Sequence, residues 1–415
     1  MKIKPAKQTA RKAAVDLRDD GESIGLMEPM LVSESSPVRA RVADLAFELS
    51  QKAAAFRASL PAGLVAPVAD LVRSMNCYYS NLIEGHNTHP VDIERAIHNE
   101  LSDDPKKRDL QLEAKAHIAV QRWIDEGQFD GRELTREGLT EIHRRFTELL
   151  PDDLLWVENP ETGERIRVVP GQARTRDIQG GRHIGISPGA VPRFLDRFEQ
   201  AYARLGKFER VIASGPAHHR LLWIHPFADG NGRVARLMSH AMLRGALNTG
   251  GLWSISRGLA RQVEAYKGHL ANCDLPRRND LDGRGHLSEE ALVAFAAFFL
   301  EACLDQVAFM EGLMQPKALR ERILRWAEEE IRYQKLPAQA PRVLDAILFR
   351  GMLPRGEVAS LIGQSERTAR NVTTALSREG IILAAGSRDD WRIAFPARLA
   401  PRLMPGLFPE ALTRP

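Results

Sequence analysis

The chain has 415 residues, 44% hydrophobic, 27% charged and 6% aromatic, with a formal net charge of +4. That exceeds one compact core, so two or three domains are expected, and so small a charge excludes nucleic-acid binding through bulk charge alone. Three widely separated cysteines, Cys77, Cys273 and Cys303, with no CxxC spacing, argue against a disulfide framework and a structural zinc site and fit a reducing cytoplasm.

Residues 1–37 are polar and poorly patterned, basic at the start, and without the apolar stretch of a signal peptide; they read as a flexible solvated tail. Helical spacing begins with RARVADLAFELSQKAAAF, and a second helix is predicted from Val65 to Glu84, stopped by Gly85. The segments PVDIERAIHNEL, LQLEAKAHIAVQRWIDEG and ELTREGLTEIHRRFTELL carry apolar residues three and four apart and extend the helical pattern. The one clear β signal lies at 167–187, where Ile178, Gly180-Gly181, Ile184 and Ile186 outline a hairpin. Helix resumes at PGAVPRFLDRFEQAYARL, at ASGPAHHRLLWI and at ARLMSHAMLRGAL. The run VAFAAFFLEACLDQVAF at 293–309, broken by Glu301 and Asp305, is too short to span a bilayer and reads as a core helix, so no membrane partner is expected. NDLDGRGHLSEE at 279–290 fails as a calcium loop, because Arg278 falls on the first ligand position. Residues 316–340 look like a helical connector closed by LPAQAP. From 341 to 415 the chemistry changes: eleven arginines, no lysine and seven acidic residues give a net +4, equal to that of the whole chain. Three helical segments and two short strands, IILAA and WRIAF, then predict a winged helix-turn-helix. Its Arg367, Arg370 and Arg378 suit DNA phosphates, although such modules also dock proteins.

The chemistry concentrates at 225–236, HPFADGNGRVAR. Pro226 biases His225 out of the α region and ends the incoming helix there. Asp229-Gly230-Asn231-Gly232 opens the next helix, and successive N–H groups at a glycine-rich helix start form an anion cradle strengthened by the helix dipole. Arg233 and Arg236 share one face, so each can grip a phosphate with a planar fork. Asp229 then fits a Mg²⁺ ligand, since magnesium on a polyphosphate takes only one or two carboxylates. Singly, each residue has a structural explanation; together they describe a phosphate site.

The stretch matches every defined position of HxFx(D/E)GNGRxxR, and over roughly residues 80–300 the chain resembles the Fic (filamentation induced by cAMP) family. The resemblance implies a mainly α fold, with N-terminal helices at 38–90 and a catalytic helical bundle at 91–315 whose hairpin is a flap that holds a target segment; the small winged-helix domain at 341–415, read from its own residues, follows it. It implies a protein adenylyltransferase that moves AMP from ATP to a Ser, Thr or Tyr hydroxyl of a protein, itself included, releasing pyrophosphate. In that likeness His225 is the base, Asp229 holds Mg²⁺, and Gly230, Asn231, Gly232, Arg233 and Arg236 bind the triphosphate. Related Doc kinases carry Lys where this chain has Gly232, which favours nucleotidyl transfer. Only Tyr266-Lys267 corresponds to the Tyr-Tyr pair of many members, so Tyr266 is assigned to the base, whose identity stays open. Upstream, SNLIEG at 80–85 resembles the inhibitory motif (S/T)xxxE(G/N) of the second Fic class, which implies that Glu84, beside Ser80, pairs with Arg236 and restrains activity. The alternative is a DNA-binding transcriptional regulator that uses the nucleotide pocket as a sensor. A homodimer is open.

Overall fold

The structure, a computed structural model, describes residues 17–158, 163–180, 183–386 and 388–409. Helices α1 (Arg39–Ser59) and α2 (Ala62–Ile83) come first. Val42, Ala46, Leu49, Ala53 and Phe56 of α1 face inward at alternating spacings of four and three, the pattern of a one-sided helix. A Schellman motif ends α2: Gly85 takes φ +87°, its N–H reaches the Leu82 carbonyl at 3.0 Å, and the His86 N–H reaches that of Asn81 at 2.9 Å. Glu84 therefore sits at the helix end as its cap residue.

Helices α3 (Pro90–Ile97), α4 (Pro105–Asp125) and α5 (Arg136–Glu148) follow. Next come two small antiparallel pairs, β1 (Trp156–Glu158) with β2 (Arg165–Arg167), and β3 (Gln179–Gly180) with β4 (His183–Ile184). The second is the expected hairpin; Gly181 of its Gly-Gly turn lies outside the described residues. Helices α6 (Val191–Tyr202), α7 (Lys207–Ile212), α8 (Ser214–Ile224) and α9 (Asn231–Leu247) lead to α10 (Ser256–Arg261), α11 (Val263–Cys273) and α12 (Glu289–Met314). Both α8 and α9 are buried on nearly all sides, which fixes the α8–α9 junction in space. With 26 residues, α12 is longer than the sequence reading allowed and matches a bilayer span by length and apolarity. Its flanks extend past the apolar run through Glu289 and Glu290, and it packs along α1, α8 and α11.

Helix α13 (Pro316–Arg332) joins α14 (Ala340–Arg350), α15 (Val358–Ile362) and α16 (Glu366–Arg378), then β5 (Ile382–Leu383) paired with β6 (Arg392–Ile393), then α17 (Ala400–Leu403). The boundary expected at 340 is no break in the core: Trp326, Leu344, Val372 and Ile393 belong to one apolar cluster with Val68, Val72 and Met75 of α2. The chain beyond α17 lies on α2 as well. Tyr79 donates its hydroxyl to the Leu407 carbonyl at 3.0 Å, Phe408 meets Tyr78 edge-on at 5.5 Å, and Arg257 donates to the Gly406 carbonyl at 2.9 Å.

The expected tail through residue 37 requires correction from residue 17 onward; residues 1–16 lie outside the described residues. Met27, Met30 and Val32 are buried, Arg220 donates to the Pro29 carbonyl, and the Glu22 carboxylate accepts from the Ser187 N–H and hydroxyl at 2.6 and 2.7 Å. This strap crosses the body without a helical or alternating repeat, so its apolar residues carry no periodic signal.

Candidate active site

Helix α8 delivers His225 as its C-cap residue, with φ +49° and ψ +62°. A left-handed histidine is strained and persists only where its surroundings over-determine it. Arg174 does so: its Nε donates to the His225 carbonyl at 2.8 Å, its backbone N–H to the Pro226 carbonyl at 2.8 Å, and Nη2 to the Ile186 carbonyl at 2.6 Å. One guanidinium thus ties the His225 backbone to the root of the β3–β4 hairpin. Burial, with Arg174 and His183 nearby, pushes the His225 imidazole down to about 4, so it is neutral and able to accept a proton at neutral pH.

The turn after His225 is stapled internally. The Asn231 side chain accepts from the Phe227 N–H at 3.0 Å and donates to the Phe227 carbonyl at 2.8 Å. These two bonds hold the Asn231 side chain in the loop, so the part of Asn231 placed to meet a phosphate is its backbone N–H at the start of α9. The Phe227 ring stacks on His143 with centroids 3.9 Å apart, and His143 Nδ1 accepts from the Gly171 N–H at 3.0 Å. Gly230 takes φ +79° as the N-cap of α9, and among the described residues no side chain caps that helix start. Its first N–H groups are therefore placed to receive an anion, as the sequence pattern anticipated.

Arg233 and Arg236 of α9 are 6% and 1% exposed. Arg236 donates through Nε to the Ser80 hydroxyl at 2.8 Å and through Nη2 to the Ser80 carbonyl at 3.2 Å, and it forms an ion pair with Glu84. Burial alone would raise the Glu84 carboxyl, but Arg236, in contact, and Arg233 and His86 nearby hold it below its ordinary value. Gly232 makes this approach feasible, since a Cβ there would collide with Glu84 Oε1. Arg233 pairs with Glu113 of α4 and, at 3.3 Å, with Asp229, while burial lowers its pKa to about 10. His86 Nδ1 lies 2.7 Å from Glu113 Oε2. Asp229 stands at the exposed mouth, where the surrounding protein partly desolvates its carboxyl and, with the negative Glu84, raises its pKa. Among the described residues no three His, Cys, Asp or Glu side chains cluster to hold a metal unaided. One exposed carboxylate beside an anion cradle fits an ion that takes its remaining ligands from phosphates and water.

His225, Asp229, Gly230, Gly232, Arg233, Arg236, Ser80 and Glu84 thus converge on one site. Tyr266 does not present itself to a base there: it is 2% exposed, its hydroxyl is 2.7 Å from His218 Nε2, and its ring lies against His218 and Phe295. The Tyr266 assignment is corrected accordingly, because its ring is closed into the core and its hydroxyl is shared between His218, which also bonds Ser239, and Arg236. Arg174, Glu113 and His143 were not singled out by the sequence. Arg174 lies within the 167–187 stretch read only as a hairpin; Glu113 and His143 are single polar residues in helices with no local signal.

With this geometry in place, residues 133–243 match the Fic/DOC family model, and the chain carries a domain of that family. It is 26% identical over 168 residues to the protein adenylyltransferase Fic of Drosophila erecta and 28% identical over 169 residues to that of Culex quinquefasciatus. Each alignment covers 40% of this chain and 31% of the relative, so the chain spans under a third of the length of these curated relatives. A Fic family protein from Desulfovibrio desulfuricans G20 shares the fold with a TM-score of 0.51 at 17% identity, covering 88% of this chain and 98% of that one.

Proposed function

We propose that this chain is a self-restrained protein adenylyltransferase, moving AMP from ATP to a hydroxyl of a protein target, itself included. The observation that carries the proposal is the convergence of a neutral histidine, an uncapped helix start and two buried arginines, one of them held by Glu84. Two relatives named protein adenylyltransferase support the reaction class.

In this mechanism the first N–H groups of α9 and the forks of Arg233 and Arg236 hold the triphosphate and fix the α-phosphorus in front of His225. His225 takes the proton of the incoming hydroxyl as its oxygen bonds to the α-phosphorus; the bond to the β-phosphate oxygen breaks in line, and pyrophosphate leaves with that electron pair. Asp229 would hold Mg²⁺, which supplies charge neutralisation for the leaving pyrophosphate. Glu84 occupies the Arg236 guanidinium that the terminal phosphate needs, so the nucleotide must displace a charge-assisted pair before it seats productively. The β3–β4 hairpin, tied to His225 through Arg174, would align the target segment by main-chain hydrogen bonds.

Incubation with α-labelled ATP tests the restraint. Glu84→Gly protein should label itself and added protein well above wild type, and Glu84→Gly with His225→Ala should lose the label. Equal labelling by wild type and Glu84→Gly would remove Glu84 as the restraint.

A further inference from the structure

We propose that the exposed arginine face of α16 is a contact surface for duplex DNA. The proposal stands independently of adenylyl transfer. Helix α16 buries Ala369, Val372, Thr373 and Leu376 on one side. On the other, Arg367, Arg370, Asn371, Thr374 and Arg378 are all exposed, at spacings that place them along one face.

The distribution of partners separates this face from an ordinary solvated one, which mixes both signs of charge. Three of the six described acids of the surrounding unit are engaged elsewhere, Asp345 with Arg320, Glu357 with Arg350 and Glu379 with Arg398, while Asp389 and Asp390 lie in the hairpin without an ion pair. Arg402 pairs with Glu329 and Glu330 of α13. Among the described residues, Arg367, Arg370 and Arg378 form no ion pair, nor do the exposed Arg388 and Arg392 of the β5–β6 hairpin. Glu366 is the one acid within α16 itself. A 370 Å³ hollow between α16 and the hairpin is lined by Arg355, Glu366, Arg370, Thr373 and Trp391. Arg355 is fixed there, 3.9 Å over the Trp391 ring and bonded to the Asp389 carbonyl at 2.9 Å.

Five unpaired guanidiniums beside Asn371 and Thr374 suit a polyanion with planar hydrogen-bonding groups. Arginine forks match phosphates and the guanine edge, and asparagine matches the adenine edge. A helix of 13 residues is about 20 Å long, enough to lie in a major groove about 12 Å wide. The opposite side of the unit rests on α2 and α13, which leaves this face outward.

Fluorescence anisotropy of the full chain with a labelled, random-sequence duplex of about two helical turns tests the proposal. If four arginines neutralise phosphates, affinity should fall about a hundredfold between 50 and 200 mM salt, with a log–log slope of about −3.6. The Arg367→Ala/Arg370→Ala variant should flatten that slope by about 1.8 while keeping the wild-type melting temperature. The control Lys106→Ala/Lys107→Ala on α4 should bind as wild type. No binding at low salt, an unchanged slope in the α16 variant, or an equal loss in the control would each overturn the proposal.

Discussion

Glu84→Gln preserves the shape of the side chain and removes its charge, and so isolates the ion pair from packing. In the wild type Arg236 donates to the Ser80 hydroxyl, the Ser80 carbonyl and the Glu84 carboxylate, and is 1% exposed. A hydrogen bond to a charged group contributes about 1.5–3 kcal/mol. A third of the Glu84 side chain reaches solvent, which places this pair at the lower end of that range. Removing it should cost about 1.5 kcal/mol without nucleotide, because Arg236 stays buried beside neutral acceptors only. Under the proposed function a terminal phosphate displaces the same pair, so its loss should tighten ATP binding by about tenfold, the equivalent of roughly 1.4 kcal/mol. The two effects have opposite signs. Calorimetric titration with ATP and thermal melts with and without ATP read both: the variant should melt lower alone and gain more from nucleotide than the wild type. Equal ATP affinity in the two proteins would refute competition for Arg236.

Burial holds His117 and His218 at about 3 and His143, His219 and His225 at about 4, whereas the unfolded chain titrates near 6.5. Below pH 6.5 the unfolded state therefore binds protons that the folded state does not, and stability should fall by up to about 1.4 kcal/mol per histidine per pH unit as pH drops towards 4. A melting temperature unchanged from pH 7 to pH 5 would contradict this. For the same reason the acid limb of label transfer, measured in Glu84→Gly protein above its acid unfolding range, should lie below pH 6; a half-point at pH 6.5 would mean a solvated His225. Arg174→Ala should slow transfer about a hundredfold, the scale expected when a reacting group shifts by about 1 Å, and Arg174→Lys should not rescue it because the fork is needed. Phe408→Ala should loosen the end of α2 and raise labelling, and added to Glu84→Gln it should produce little further increase, since both act on the same restraint; full additivity in rate would place Phe408 elsewhere.

The site was legible where its chemistry is contiguous. HPFADGNGRVAR carries the base, the turn and both arginines on adjacent helix ends, so their convergence follows from local geometry. Glu84 was legible through the resemblance of SNLIEG to an inhibitory motif, since a Glu-Gly helix end alone reads as a cap. Other parts depend on contacts that no local pattern encodes. Asn231 looks equally suited to a ligand or to a loop until Phe227 takes both ends of its amide. Tyr266 has the right residue type, but its burial beside His218 is set by α8 and α12. Glu113 reaches Arg233 from α4 across more than a hundred residues, and the strap at 17–37 is held by scattered contacts rather than a repeat. The arginine-rich C-terminal part was legible as a change in composition, whereas its shared core with α2 arises from apolar residues that any isolated domain would also need.

The most direct measurement compares α-labelled with γ-labelled ATP, using Glu84→Gly protein with and without His225→Ala. Label should pass to protein from the α position alone and only when His225 is intact. Label arriving from the γ position, or α-label persisting without His225, would contradict adenylyl transfer by this site.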